Sequence, residues 1–215
     1  MSLYETKKAT LADWEALGED VRVELIDGEI YYMAGPSATH QRILNFLQYT
    51  VYGYLKGKTC EVFSAPFDVY FQHQEEDTPN IVQPDLMVIC DRNKITKKGC
   101  IGAPDWIIEV VSPSTAHRDY LTKLPLYAEH GVKEYWIVNP MNETITTYRL
   151  MEELTPAVYT FRDTIKVHTL AAVSYTHLDV YKRQTHSIWM TVMGVSMPIK
   201  CPTIEIPTAH TLLES

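Results

Sequence analysis

At 215 residues the chain is long enough for one domain with a substantial core, and its 46% hydrophobic and 21% charged content is ordinary for a soluble globular protein. A formal net charge of −8 speaks against a protein that holds nucleic acid by bulk electrostatic attraction. No apolar run approaches the roughly 20 residues needed to span a bilayer, and the first ten residues lack the apolar core of a secretion signal, so no membrane association and a cytoplasmic setting are expected. The cysteines Cys60, Cys90, Cys100 and Cys201 form no CxxC pair, and are expected as reduced thiols.

In chain order, Thr10 and Asp13 read as an N-cap with an acid three residues on, opening a short helix that Gly18 closes. Trp14 and Leu17 of that helix are expected to dock as a lid on the sheet. Asp27-Gly28 between two strand-like runs is a strong hairpin signal. Glu24 in the first of those runs reads as a strand-surface glutamate, with an accessory role near a metal as the alternative. Gly35-Pro36-Ser37 breaks the chain and supplies a cap, after which Ile43, Leu44, Leu47, Val51, Tyr54 and Leu55 recur at helical spacing. His40 falls in the opening turn, either as a structural donor or as a contact to substrate or metal. The stretch 60–71 reads as one strand with Val62, Phe67, Val69 and Phe71 inward, and the acidic run after it as a loop.

The next stretch organises the rest. Leu86 to Ile89 is a buried strand headed by Pro84-Asp85; a basic loop with Arg92, Lys94, Lys97 and Lys98 follows; Trp106 to Val111 is a second apolar run. Glu109 interrupts that run at a position that should be nearly fully buried, where a carboxylate needs a cation, a metal, a strong donor or a proton. Ser112-Pro113-Ser114-Thr115 opens a helix in which Asp119, Lys123 and Tyr127 recur every four residues and share a face. Pro125 within it predicts a kink just after Lys123, and Gly131 ends it. Strands at 132–138 and 143–150 and an edge strand at 156–161 complete the pattern.

Two carboxylates on neighbouring buried strands make an oxygen-rich site suited to Mg²⁺ or Mn²⁺. Lys123 reads either as a surface lysine paired with Asp119 or as a fixed positive charge beside that ion, and the two acids upstream favour the second. The basic cluster Arg92, Lys94, Lys97 and Lys98, with Arg118 after the second strand, reads equally as a solvated face or as phosphate contacts.

These motifs, VELIDGEIYYMAGPSATHQRI, EVFSAPFDVYF, VQPDLMVIC, GAPDWIIEVVSPST and RDYLTKLPLYAEHGVKEYWIVNP in that order, resemble the Uma-two family of the PD-(D/E)XK nuclease superfamily. The resemblance runs from about residue 10 to about residue 150. It implies an α/β fold with a restriction-endonuclease-like core of helix, three strands, helix and strand, a mixed central sheet, and an N-terminal helix plus hairpin. It also implies that Asp85 and Glu109 are the two metal-binding acids. The superfamily's lysine two residues after the second acid is absent, since Val111 stands there; Lys123 would take its place, with His40, Glu24 and Tyr127 as accessory groups. The implied activity is metal-dependent hydrolysis of nucleic acid, DNA first, by a homodimer on the analogy of restriction enzymes. A non-catalytic binding module of the same fold and a metal-dependent hydrolase of small phosphate esters are the alternatives.

The domain is expected to end near residue 170. The string 173–184, VSYTHLDVYKRQ, resembles one that recurs in translated sequence assemblies through adapter read-through, so 171–215 is expected not to be a natural C-terminus and takes no part in the functional reading.

Overall fold

The computed structural model describes residues 8–18, 20–71 and 79–171, and the backbone of three short strands at 189–192, 195–198 and 203–205. In chain order the elements are α1 (Leu11–Glu15), β1 (Val23–Ile26), β2 (Glu29–Tyr32), α2 (Ala38–Leu55), β3 (Glu61–Ser64), β4 (Asp68–Phe71), β5 (Asn80–Val82), β6 (Leu86–Ile89), β7 (Gly99–Ile101), β8 (Trp106–Val110), α3 (Ala116–Leu121), α4 (Lys123–Glu129), β9 (Glu134–Asn139), β10 (Thr144–Arg149), β11 (Glu153–Thr160), β12 (Thr164–Lys166) and α5 (His168–Ala171). Beyond them come β13 (Trp189–Val192), β14 (Val195–Pro198) and β15 (Thr203–Glu205). The fold is mixed α/β, as expected. A six-stranded sheet runs β11-β10-β9-β8-β6-β3, and a five-stranded one runs β2-β1-β5-β4-β7. Among the described residues no helix is long and apolar enough to cross a membrane.

The stretch expected as one strand from 60 to 71 is two strands in different sheets. β3 pairs β6 and β4 pairs β5, both antiparallel, with Ser64 opposite Leu86 and Val69 opposite Val82. The two pairings are one hairpin that bends out of one sheet into the other. Pro66 and Pro84 lie at the bend, one in each arm, where neither can donate to a ladder. The bend puts Asp85 at the corner, just ahead of β6. A further strand, β7, replaces part of the expected basic loop and runs parallel to β4. A side chain at Gly99 would collide with the Asp68 carbonyl, so only glycine lets β7 come this close. The expected turn between β1 and β2 is present, with Asp27 and Gly28 at φ of 52° and 80°.

β8 and β9 are the parallel pair of the six-stranded sheet, joined by α3 and α4 as a crossover. Alternation along the central strands divides them between two cores. Leu86, Val88, Trp106, Ile108, Val110 and Trp136 face α2 with Leu44, Leu47 and Val51. Met87, Ile107, Val111, Tyr135 and Ile137 face α4 and the five-stranded sheet. Asp85 and Glu109 share the parity of the second set. The lid reading of α1 holds for Trp14, which rests edge-on against Tyr70 with ring centroids 6.2 Å apart.

Two further expectations are overturned. The kink after Lys123 is instead a break before it, at Thr122, which closes α3 and opens α4. Pro125, third in α4, cannot donate to the carbonyl four residues back at Leu121 and its ring crowds that carbonyl, so α3 stops there; in the first turn of α4 the missing N–H costs nothing. Cys60 and Cys90 are not reduced thiols but a disulfide with Cα atoms 3.9 Å apart. They stand opposite one another one step beyond the Glu61 and Ile89 pair, a register invisible in their sequence spacing. Such cross-links are uncommon in reducing compartments. Cys100 is free and buried, and burial pushes its thiol up to about 11. Cys201 and the tail string at 173–184 lie outside the described residues.

The disulfide closes a loop of 30 residues, which should stabilise the fold by roughly 2–4 kcal/mol. Cys60→Ser is expected to lower the urea-unfolding free energy by about that amount, and dithiothreitol should do the same to the wild type only. Equal midpoints for the two proteins without reductant would contradict it.

Candidate active site

The site begins with strand register. β6 and β8 pair antiparallel with Leu86 opposite Ile108, so Asp85 and Glu109 come next and face one another from the same side of the sheet. The backbone N–H of Asp85 donates to Glu109 Oε2 at 3.2 Å, and that of Val110 donates to Asp85 Oδ2 at 2.8 Å. The two acids are therefore locked to each other's strands.

Glu109 is 4% exposed and Lys123 3%. The Lys123 ammonium lies 2.8 Å from Glu109 Oε1, 2.8 Å from Glu24 Oε1 and 3.6 Å from Asp119 Oδ1. Tyr127 donates to Glu109 Oε1 at 2.9 Å. The break at Thr122 starts α4 at Lys123, and α4 carries both Lys123 and Tyr127 to the same carboxylate. Glu24 also accepts from the Gln83 N–H at 3.1 Å and pairs with Arg118 at 3.4 Å. It is thus not a surface glutamate. β1 is buried along its whole length because the five-stranded sheet packs it inward, and the alternation expected of an exposed hairpin is absent.

His40 Nε2 lies 3.0 Å from Asp85 Oδ2, placed there by the Ser37 cap that begins α2. Its buried Nδ1 has no hydrogen-bond partner among the described residues. Both described bonds to the Asp85 carboxylate fall on Oδ2, which leaves Oδ1 without a described partner. Two residues at the site, Asp119 and Gln83, were given no role there by the sequence. Asp119 is buried behind Lys123, while Gln83 links Arg22, at 2.7 Å, to Asp68, at 2.9 Å. Asp119 was legible only as a helix-face partner of Lys123; Gln83 carried no signal.

The charges do not balance. Four carboxylates, Glu24, Asp85, Glu109 and Asp119, face two cations, Lys123 and Arg118, so the cluster is two charges negative with its carboxylates ionised and His40 counted as uncharged. Burial, with the neighbouring Asp85, Asp119 and Glu24 charges, pushes Glu109 up to about 8 against the pull of Lys123. Burial raises Asp119 as well. Burial would lower Lys123, but Glu109, Glu24 and Asp119 hold it well above its usual range.

A cleft of about 530 Å³ opens on this cluster, lined among others by Glu24, His40, Asp85, Glu109, Arg118 and Lys123. Arg92, Lys94, Lys97 and Lys98 do not line it. They follow β6 at the end away from Asp85; Arg92 pairs with Glu61 at 2.9 Å, and Lys94 donates to the Ala103 carbonyl at 2.8 Å. Among the expected phosphate contacts only Arg118 reaches the cleft. Among the described residues no three His, Cys, Asp or Glu side chains gather as a ready-made metal cage; the oxygens on offer are those of Asp85 and Glu109.

The model of the family Uma2, described as "Putative restriction endonuclease", matches residues 9–180. The uncharacterized protein slr1290 of Synechocystis sp. is 32% identical over 126 residues, 58% of this chain and 64% of that protein, so the match spans less than two thirds of that relative. The uncharacterized protein sll1609 of the same organism is 27% identical over 154 residues, 69% of this chain and 85% of that one. A crystal structure described as a putative nuclease belonging to DUF820 from Anabaena variabilis is similar with a TM-score of 0.62 at 23% identity, covering 76% of this chain and 91% of that one. At that identity the likeness speaks for the fold.

Glu109 holds its proton to about pH 8 when folded, against 4.5 ordinarily, so the folded state binds more protons than the unfolded one across that window. Stability of the metal-free protein should be greatest below pH 4.5 as far as this group is concerned, and should decline as pH rises to 8. Urea midpoints in chelator at pH 5 and pH 8 check this; a midpoint no lower at pH 8 contradicts it. Lys123→Met takes the shared cation from three buried carboxylates, of which only Glu24 keeps a described ion pair, with Arg118, and should cost about 3–5 kcal/mol at pH 8. The cost should be smaller at pH 5, where Glu109 is protonated.

Proposed function

The chain belongs to the Uma2 family, described as putative restriction endonucleases, and from that membership and the cleft's chemistry we propose that it is a divalent-metal-dependent nuclease hydrolysing phosphodiester bonds, with DNA as substrate. The observation that carries the reading is the pair of opposed acids at one strand end, backed by a buried lysine.

The residues fit Mg²⁺ or Mn²⁺. Both are hard cations held by one or two carboxylates with several waters retained, which is what Asp85 and Glu109 supply without a third protein ligand. The surplus of carboxylates over cations, with burial raising Glu109 above its ordinary range, supports an oxygen-rich site with room for a divalent cation. When bound, the ion would lower the pKa of a water and polarise a phosphoryl oxygen.

Lys123 holds Glu24, Glu109 and Asp119 in one place, and its fixed charge favours negative charge building on a nearby phosphate. Tyr127 fixes Glu109 Oε1, leaving Oε2 nearer to Asp85. His40 orients the Asp85 carboxylate through Oδ2. The proposal keeps pre-positioned carboxylates on rigid strands rather than on loops, so little rearrangement is needed on binding.

One observation favours the small phosphate ester as a second substrate class: the expected basic cluster lies away from the cleft, so a long polyanion finds few counter-charges there. Supercoiled plasmid, single-stranded DNA and p-nitrophenyl phosphate, each with Mg²⁺ or Mn²⁺, separate the two. Metal-dependent cutting of DNA should fall by about 10²-fold or more in Asp85→Asn and in Glu109→Gln. Turnover of the ester with DNA left intact would move the reading to the second class, and DNA cutting undiminished in both variants would overturn the site.

A further inference from the structure

Helix α2 does more than cover the sheet. Its apolar face, Leu44, Leu47 and Val51 among others, is packed into the core. Beside that face, Gln41, Asn45 and Gln48 recur at four and three residues, within about 60° of arc. All three line the same cleft as Asp85 and Glu109. No hydrogen bond is described for any of the three amides within the described residues, whereas the cations of the cleft are engaged. Lys123 is held by three carboxylates, Arg118 through Nη1 by Glu24, and Arg22 through Nε by Gln83.

The cleft thus offers a row of neutral amides with no described partner beside its few charged groups. An amide both donates and accepts, and asparagine or glutamine pairs in bidentate fashion with the N6/N7 edge of adenine. Pro113 and Met141, which also line the cleft, add apolar surface against which the face of a base can lie. The cleft volume is on the scale of a small-molecule pocket, enough for a nucleotide or two and not for a double helix. Bases inside a duplex expose only their groove edges, and an enzyme that reads a base in a pocket must take it unpaired.

We propose, resting on the nuclease reading, that the cleft takes an unpaired strand and that Gln41, Asn45 and Gln48 read the edges of its bases, with adenine preferred. Affinity then comes mainly from base contacts, and its salt dependence is shallow because few phosphates are neutralised.

The test is fluorescence anisotropy on the full chain, with Ca²⁺ in place of Mg²⁺ to suppress turnover. The probes are labelled short oligomers of dA, dT and dC and a mixed-sequence duplex, at salt from about 50 to 200 mM. Single strands should bind about tenfold or more tightly than the duplex, dA best, with a log–log salt slope nearer −1 than −6. The triple variant Gln41→Ala, Asn45→Ala, Gln48→Ala changes solvent-side positions to a better helix former. It should keep the wild-type thermal melt, lose about tenfold in dA affinity and bind the three oligomers alike.

Duplex binding equal to or tighter than single-strand binding overturns the proposal. So does a steep salt slope, an unchanged base preference in the triple variant, or no binding to any probe. If the wild type cuts duplex DNA with Mg²⁺ while any of these holds, the nuclease reading stands and only this inference falls. If base preference is seen and nothing is cut with any metal, the nuclease reading falls instead.

Discussion

A carboxylate buried in the middle of an apolar strand constrains much of this structure. Glu109 cannot be left without partners in that position, and four groups from three parts of the chain converge on it: the Asp85 backbone, Lys123 and Tyr127 of α4 and, through the shared lysine, Glu24. Each brings its own element into register. β6 is fixed to β8, α4 is fixed over the sheet, and β1 of the second sheet is tied to the helix through the ammonium group. Desolvating so many charges is costly, and pairing in such a cluster is weak evidence for stability. Proteins keep such arrangements where chemistry needs them.

The hinge of the hairpin matters for a different reason. By bending at Pro66 and Pro84 the chain delivers Asp85 to the corner between sheets, where one side of its carboxylate meets the protein and the other meets a cleft. A straight hairpin would have carried residue 85 into the middle of a ladder, with both neighbours packed. The prolines thus connect a local rule about backbone donors to the exposure of the acid.

Much of the core was legible in the sequence because it is written in short-range signals. Continuous apolar runs marked β6 and β8, a three-residue cap marked α2, and Asp27-Gly28 marked the hairpin between β1 and β2. Asp85 and Glu109 stood out because a charge in an apolar run is conspicuous. What escaped depended on register or on the second layer. Glu24 looked like a surface residue because nothing local to β1 says that another sheet covers it. The Cys60–Cys90 cross-link needs the pairing of β3 with β6, and β7 is only three residues long and starts at a glycine. The basic loop residues were read by proximity in sequence to Asp85, whereas β6 carries the chain away from it. Pro125 was recognised as a helix disturbance and placed on the wrong side of Lys123, because the clash acts on the carbonyl four residues back.

The nuclease proposal requires a divalent ion that Asp85 and Glu109 would hold together. Crystals soaked in Mn²⁺ and measured at the manganese absorption edge test this directly. An anomalous peak within coordinating distance of both Asp85 and Glu109, absent in a crystal of Glu109→Gln, is the predicted result. Strong peaks elsewhere with none between those two carboxylates would contradict it.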